Sequence, residues 1–400
     1  MKYVMLHAGG MADRPRSELG ARTPLQAAAT PHLDRLAQAG ELGLLTIPVD
    51  GHRYGSGLSG AAILGYDPKK FYQGPGPLEA ASLGVSVTEH DVVYRCTMVT
   101  LRPEGTKSGF DIKKLGPQVV MDDATAGLIS TEEARELIDA INEQLGSETI
   151  QFYPGSGHRH LMVWVEGKPR AVCVDPQSLL GQPVAKALPS GDGSDILRKL
   201  MEASLVILRD HPVNEDRRAA GKKPANCIWP WGEGRAIAWP SLTEKYGVSG
   251  AVVASSDVHR GVGICAGLEA AEPERVASGL RAKAEAAVAE LATKDFVYVH
   301  AGLTDEVVHS TDITAKVRGI EEFDRELVGP LLTGLAKHGR YRYLVLCDHG
   351  EGAADQAFYA FGEGGGKNAG DRRFTEVDAQ ASKAPARDAT KFVTKFFAKG

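Results

Sequence analysis

From Gly250 onward the chain alternates short apolar runs with helix-length segments, and this alternation constrains the fold more than any other feature. The runs are Gly250 to Ala254, a helix over 275–292, a strand over 295–301, a helix over 314–336, a strand over 342–347 and a helix over 388–398. Apolar strands separated by helices predict a parallel sheet covered on both faces, with ligand sites at the strand carboxyl ends. The start of the chain follows the same plan. Lys2 to Leu6 reads as a strand, His7-Ala8-Gly9-Gly10-Met11 as a glycine turn, and 24–39 as a helix with Thr-Pro start signals at Thr23-Pro24 and Thr30-Pro31. In between, Val92 to Val99 and His160 to Val165 alternate as antiparallel strands do, and Ser130-Thr131-Glu132-Glu133 is a capping box opening a helix over 130–144. The predicted fold is α/β: a mostly parallel sheet sandwiched by helices over 1–84 and 223–400, interrupted by a smaller inserted α+β unit over 85–222. Gly362-Glu363-Gly364-Gly365-Gly366 reads as a flexible loop.

Bulk composition narrows the partners. With 400 residues, 43% apolar and 24% charged, the chain is long enough for a sizeable core and for two domains. A formal charge of −5 with no Lys/Arg-rich block argues against nucleic acid and anionic membranes, and favours a small-molecule ligand. No apolar run approaches the roughly 18 residues that span a bilayer, and no signal-type segment opens the sequence, so a cytoplasmic protein is expected. Five scattered cysteines, Cys96, Cys173, Cys227, Cys265 and Cys347, read as reduced, buried thiols. Cys347 adjoins Asp348, although strand alternation points it to the other side.

The candidate chemistry lies past two of the strands. Val345-Leu346-Cys347-Asp348-His349-Gly350 delivers an Asp-His pair to a glycine loop, and Asp305 and His309 stand one helical turn apart after Phe296-Val297-Tyr298-Val299. Two such pairs after two core-type strands point to metal ligation, against the plainer reading of solvated ion pairs. His7 reads either as a core-edge histidine or as a ligand at the end of the first strand. The Gly/Ser-rich stretch from Gly51 to Gly60 offers backbone amides for an anion, with Ser56 or Ser59 as a hydroxyl able to approach a metal; each also reads as a turn serine. Arg95, Arg159, Arg217 or Arg218, and Arg260 stand beside strand or turn signals as anion-binding candidates or surface charges. His158-Arg159-His160 reads as a polar strand edge in preference to a metal cluster.

These residues resemble the archaeal-type cofactor-independent phosphoglycerate mutases of the alkaline phosphatase superfamily. The likeness runs through Met11-Ala12-Asp13-Arg14-Pro15, Thr23-Pro24-Leu25-Gln26-Ala27-Ala28, Leu64-Gly65-Tyr66-Asp67-Pro68, Phe152-Tyr153-Pro154-Gly155, His211-Pro212-Val213-Asn214 and Pro224-Ala225-Asn226-Cys227-Ile228-Trp229. The resemblance implies a metal-bearing phosphotransferase core with a substrate-binding or lid insertion, two divalent ions (often manganese) and a phosphoserine. Carried over by position, Ser56 is the nucleophile, Asp305 and His309 ligate one ion, Asp348 and His349 the other, and Arg159, Arg217 and Arg260 hold substrate. The chain also departs from the family. Gly9 stands where the family carries aspartate, Gly57 where an acid follows the nucleophile and Pro75 where an arginine stands, and no histidine follows His349.

The expectation is therefore a diverged, mutase-like metalloenzyme acting on a small phosphorylated or phosphonate-like acid. It would use one divalent ion, manganese, zinc or iron, held by Asp305, His309, Asp348 and His349, with Glu351, Asp355 or His7 completing the shell and no organic cofactor. A catalytically silent anion-binding protein and an intact phosphoglycerate mutase are the alternatives. Oligomeric state is left open.

Overall fold

The computed structural model describes residues 1–48, 57–106, 112–236, 238–303, 312–348, 350–351, 356–366, 370–382 and 384–398, with the backbone alone at 350, 351 and 356. The chain divides into two compact units, Met1–Tyr72 with Ala238–Gly400, and Gln73–Ile237. The inserted unit is thus wider than 85–222 at both ends. The helix Pro75–Leu83 belongs to it, and so does the strand Cys227–Gly234, which pairs antiparallel with Val92–Pro103.

The first unit is built on an eight-stranded sheet. Its order is Glu269–Ala270, Gly250–Ala254, Phe296–Gly302, Lys2–Gly9, Tyr341–Cys347, Gln356–Glu363, Glu41–Thr46 and Arg387–Asp388. The first five run parallel, as the alternating pattern predicts, while Gln356–Glu363 runs antiparallel to both its neighbours. Every second residue of the central strands, Val4, Leu6, Ala8, Val297, Val299, Val345 and Cys347, enters one buried apolar cluster with Ile320, Phe323 and Leu331 of the covering helices. By the two-residue period of a strand, Met5, His7, Tyr298 and His300 face the opposite side.

Three expected elements differ in ways that have local causes. The helix expected over 24–39 is two, Pro24–Ala27 and Pro31–Ala39, because Pro31 disfavours helical backbone at Thr30 and Ala28 is extended. The helix over 275–292 breaks at Gly279, whose φ of 109° only glycine adopts without strain. Gly362 and Glu363 end a strand and are not loop; a Cβ at Gly362 would meet the Tyr343 hydroxyl at 2.5 Å, so packing demands glycine there. The long helix over 314–336 is present, with a π turn at Asp324–Val328. The Asp324 carboxylate caps the helix Pro31–Ala39, accepting from the His32 and Leu33 amides at 3.1 and 2.8 Å.

The inserted unit carries the antiparallel order Cys227–Gly234, Val92–Pro103, Arg159–Trp164 and Ile150–Tyr153, with Val119–Asp123 on the long second strand. The predicted capping box is formed. Ser130 Oγ accepts from the Glu133 amide at 3.2 Å and Glu133 accepts from the Ser130 amide at 3.1 Å, opening the helix Thr131–Leu145. Leu137, Ile138 and Ile141 of that helix pack with Phe152, Met162 and Leu197 in the unit's core.

A buried ion pair braces the first unit near the end of its first strand. Lys316 Nζ lies 2.8 Å from Asp13 Oδ2, both side chains being almost wholly inaccessible, and Arg16 adds a second cation at 3.2 Å. Burial works to raise the Asp13 pKa, but the hydrogen bonds and charges of Lys316 and Arg16 outweigh it and hold the carboxyl below its ordinary value. The stability this contributes is present above the unfolded carboxylate pKa and is lost as pH falls through the lowered folded value. Replacing Lys316 by methionine removes the buried partner of Asp13 and leaves the partly exposed Arg16 as its cation, and is expected to cost about 2–4 kcal/mol, measured by urea denaturation at neutral pH. A variant within 1 kcal/mol of the parent, on the order of a surface change, would contradict this account.

Candidate active site

The parallel register brings the ends of three strands level. His7 is opposite His300 on one side and Leu346 on the other, Ala8 is opposite Cys347, and Ala254 is opposite His300 on the next strand out. One residue past the strand, Asp348 is buried, with 3% of its surface exposed. Its Oδ2 accepts a hydrogen bond from Ser59 Oγ, in the first turn of the helix Leu58–Ile63, and lies 2.9 Å from His7 Nε2. That last contact has the distance of an ion pair but not the alignment of a hydrogen bond, and among the described residues His7 Nε2 has no hydrogen-bond partner. On its far side His7 Nδ1 is 2.9 Å from the hydroxyl of Tyr298, a phenol that burial, reinforced by Asp348, keeps protonated.

Two further imidazoles adjoin this contact. His300 ends the strand Phe296–Gly302, and His259 lies on the helix Asp257–Cys265 that follows the strand Gly250–Ala254. Gly263 permits the helix to lie this close: a Cβ there would come within 2.4 Å of Val252. The His259 and His300 rings stack with centroids 3.4 Å apart, and His7 meets both edge-on at 5.3 and 5.0 Å. One ring nitrogen from each of the three lies within 4.8 Å of the other two. Burial, the neighbouring imidazoles and Lys283 together hold the His300 pKa well below the ordinary histidine value, against the pull of Asp348. The ring is neutral at physiological pH, the form that donates to a metal. A buried carboxylate beside an imidazole nitrogen is a donor pair of the kind that suits a divalent cation.

The candidates from sequence fall into three groups. Ser56, Asp305, His309, His349 and Asp355 lie outside the described residues, as does the side chain of Glu351. Asp348 and His7 are brought together, and Arg260 is next to His259 on the same helix, its Nε buried without a hydrogen-bond partner among the described residues. In the inserted unit Arg159 is exposed at the start of its strand. Arg217 is 2% exposed and committed to its own unit. It donates to Glu133 at 2.5 Å, Ala126 O at 2.6 Å and Lys223 O at 2.9 Å, so holding substrate would require breaking bonds that tie this unit together. Arg95 is engaged with Glu79 at 2.5 Å and stacks on Trp231. Cys347 points into the apolar cluster, its thiol pushed up to about 12 chiefly by burial. His259 and His300 are absent from the sequence expectation. The signal was present: like His7, His300 directly follows an apolar run, and His259 comes five residues after one that ends at Ala254.

A mostly parallel α/β sheet with ionisable side chains gathered at its strand ends, interrupted in sequence by an antiparallel α+β unit, is the architecture of cofactor-independent phosphoglycerate mutase-like folds. Among solved structures, the PH0037 protein of Pyrococcus horikoshii superposes with a TM-score of 0.76 at 25% identity, covering 100% of this chain and 98% of that one. The cofactor-independent phosphoglycerate mutase of Thermoplasma acidophilum gives 0.62 at 27% identity, covering 100% of both chains. Residues 37–214 match the family model of 2,3-bisphosphoglycerate-independent phosphoglycerate mutase. The chain is also 42% identical over 354 residues to a probable enzyme of that name from Geobacter sulfurreducens, covering 87% of this chain and 86% of the relative. The chain belongs to the 2,3-bisphosphoglycerate-independent phosphoglycerate mutase family, of the archaeal type. Among the described residues no helix is long and apolar enough to cross a membrane.

His160, read as part of a polar strand edge, is buried instead, its Nδ1 accepting from the Gly155 amide at 3.1 Å. Burial, with a smaller contribution from His158, lowers its pKa to about 3, so folding excludes the proton that the unfolded chain binds below about pH 6.5. Stability should be complete above that pH and fall toward pH 3, by up to about 1.4 kcal/mol per pH unit. Urea titrations of the full chain at pH 7, 6 and 5 are expected to show that slope in the parent and a flatter one in His160→Gln. Equal slopes would show that His160 is not the group responsible.

Proposed function

We propose that this chain is a diverged, metal-dependent member of its family that acts on a small phosphorylated or phosphonate-like acid through a single divalent ion anchored by Asp348. The observation that carries the reading is the buried contact of Asp348 with His7 and Ser59 at the carboxyl ends of adjacent parallel strands. A carboxylate withdrawn this far from water is stabilised by a cation close to it. When bound, a divalent ion at this point supplies Lewis-acid charge against a phosphoryl oxygen. Ser59 keeps the Asp348 carboxylate in one orientation. Arg260, with a buried donor unsatisfied, provides a cation for the acid's anionic groups.

Relatives bear the name of enzymes that interconvert phosphoglycerates, and 3-phosphoglycerate is the first substrate to test. The departure at Gly9, where the resemblance places a carboxylate, favours weak or absent 3- to 2-phosphoglycerate interconversion. Efficient turnover in a coupled enolase assay would restore the ordinary mutase. Ser56 is the proposed nucleophile on the strength of the resemblance, and Ser59 a positioning residue. Ser56→Ala is expected to abolish turnover of any phosphorylated acid that the parent processes, with loss of a phosphoserine detectable by mass spectrometry. Ser59→Ala is expected to lower kcat while leaving that phosphoserine in place. Full activity in Ser56→Ala would assign the attack to water or to another hydroxyl.

A further inference from the structure

We infer that Lys283, in the first turn of the helix Leu280–Glu290, takes the carboxylate of the phosphorylated acid, giving the site a second anion-binding point apart from the one at Asp348. The inference rests on the substrate class proposed above and adds a contact that neither the sequence motifs nor the family likeness assigns.

Lys283 is a buried cationic group without a counter-charge. Its residue is 9% exposed, and among the described residues its ammonium has no hydrogen bond and no ion pair. Lys316, the other buried lysine among the described residues, has the Asp13 carboxylate at 2.8 Å. Burial lowers the Lys283 pKa, with no carboxylate pulling the other way. Helix position adds a second penalty. The first turn is the positive end of the helix dipole, where a cation is disfavoured, and the Gly279 cap brings no side chain to the amides of Leu280, Arg281 and Ala282. The Lys283 stem leans back toward those amides, because Cα–Cβ bonds on a helix tilt toward its N-terminus. An ammonium and uncapped amides in one place, with nothing negative to meet them, are the complement of an oxyanion. Plain packing would be better served by an apolar side chain: the neighbouring Ala284, Ala286 and Ala287 join Val253, Val297 and Val299 in the apolar cluster.

The place is the carboxyl edge of the sheet. The helix packs on the strands Gly250–Ala254 and Phe296–Gly302 and leads directly into the second, so it runs back against that strand and its first turn lies at the strand's carboxyl end. His300, near that end, feels the Lys283 charge, one of the influences that lower its pKa. Lys283 belongs to the helix layer on the face of Val297 and Val299, whereas His7 and Tyr298 face the other way. An acid reaching both Asp348 and Lys283 would therefore lie across the strand ends, in the crevice where open α/β sheets bind ligands. From Tyr341–Cys347 to Phe296–Gly302, with Lys2–Gly9 between them, is two strand spacings, about 10 Å. With side chains reaching in from both ends, that distance suits a small acid carrying its two anionic groups at opposite ends. Arg281, the other cation of this first turn, is engaged with Glu326 at 2.8 Å on the surface.

The test is binding of two small phosphates that differ in one carboxylate. The full-length parent and Lys283→Met are titrated calorimetrically with 3-phosphoglycerate and with glycerol 3-phosphate, first after chelator treatment and again with manganese or zinc restored. The parent is expected to bind 3-phosphoglycerate at least about 10-fold more tightly than glycerol 3-phosphate. Lys283→Met should lose that preference, weakening the acid at least about 10-fold and glycerol 3-phosphate less than about 2-fold. Because the variant removes a buried cationic group that has no partner, its urea midpoint should equal or exceed the parent's. A clear fall in that midpoint would give the ammonium a structural partner and overturn the inference. So would a parent indifferent to the carboxylate, or a variant that weakens both ligands alike or neither. The two readings fail separately. If the loss in Lys283→Met is the same in the chelated protein and no divalent ion strengthens binding, the single-ion reading falls and this one stands; if a bound ion supports turnover while Lys283→Met leaves both affinities unchanged, the reverse holds.

Discussion

The parallel pairing of Lys2–Gly9 with Phe296–Gly302 and with Tyr341–Cys347 is the constraint from which the rest of the site follows. Because the three strands point the same way and end level, the residues that close them, His7, His300 and Asp348, emerge from the sheet together. An antiparallel neighbour would have offered the opposite end of a strand, as Gln356–Glu363 does. The backbone requirement at this edge is as exacting as the side-chain one. Gly9 and Gly302 stand side by side, and a Cβ on Gly302 would meet the Gly9 carbonyl oxygen at 3.1 Å, so the strands turn away without side chains between them.

The sheet and its coverage are legible in the sequence because their signal is periodic. Apolar strands with helices between them have few other solutions, and the capping box at Ser130 specifies a helix start by local chemistry alone. The helix breaks at Thr30-Pro31 and Gly279 are local too, but one residue's backbone preference is easily outvoted in a long apolar pattern. Strand Gln356–Glu363 is harder to see: it is glycine-flanked, and its pairing partners, Glu41–Thr46 and Tyr341–Cys347, are far away in sequence or running the other way. What made Gly362 resemble linker sequence is steric, the Tyr343 ring lying against it from the next strand.

The site is less legible for a different reason. Asp348 and His7 can be found as polar residues closing apolar runs, but His259 acquires meaning only once the helix Asp257–Cys265 has been laid against its strand through Gly263. Arginines show the converse. Arg217 looks like an anion ligand in sequence, yet the carbonyls of Ala126 and Lys223 and the carboxylate of Glu133 consume its donors. Arg260 carries the same kind of sequence signal, but it follows His259 on its helix and, among the described residues, its Nε is buried without a hydrogen-bond partner. Burial alone therefore does not separate a structural cation from a functional one; the separation comes from whether the protein has already met the group's hydrogen-bonding capacity.

Charge balance links the sequence departure to the geometry. Two dications held close together repel strongly and need several anionic ligands between them. This chain has glycine at 9, where the resemblance places one such carboxylate, and among the described residues sets the buried Asp348 against the His7 imidazole. Under the single-ion proposal, one dication opposite the Asp348 carboxylate would leave a net positive charge to attract a phosphorylated acid. The nearby cations point the same way. Lys283, whose pKa burial lowers, acts electrostatically on His300, and Arg260 follows His259 on the same helix. On that proposal a phosphoryl group would be held against one ion and a guanidinium, where a two-ion site would clamp it between cations, on the same sheet and with the same strand ends.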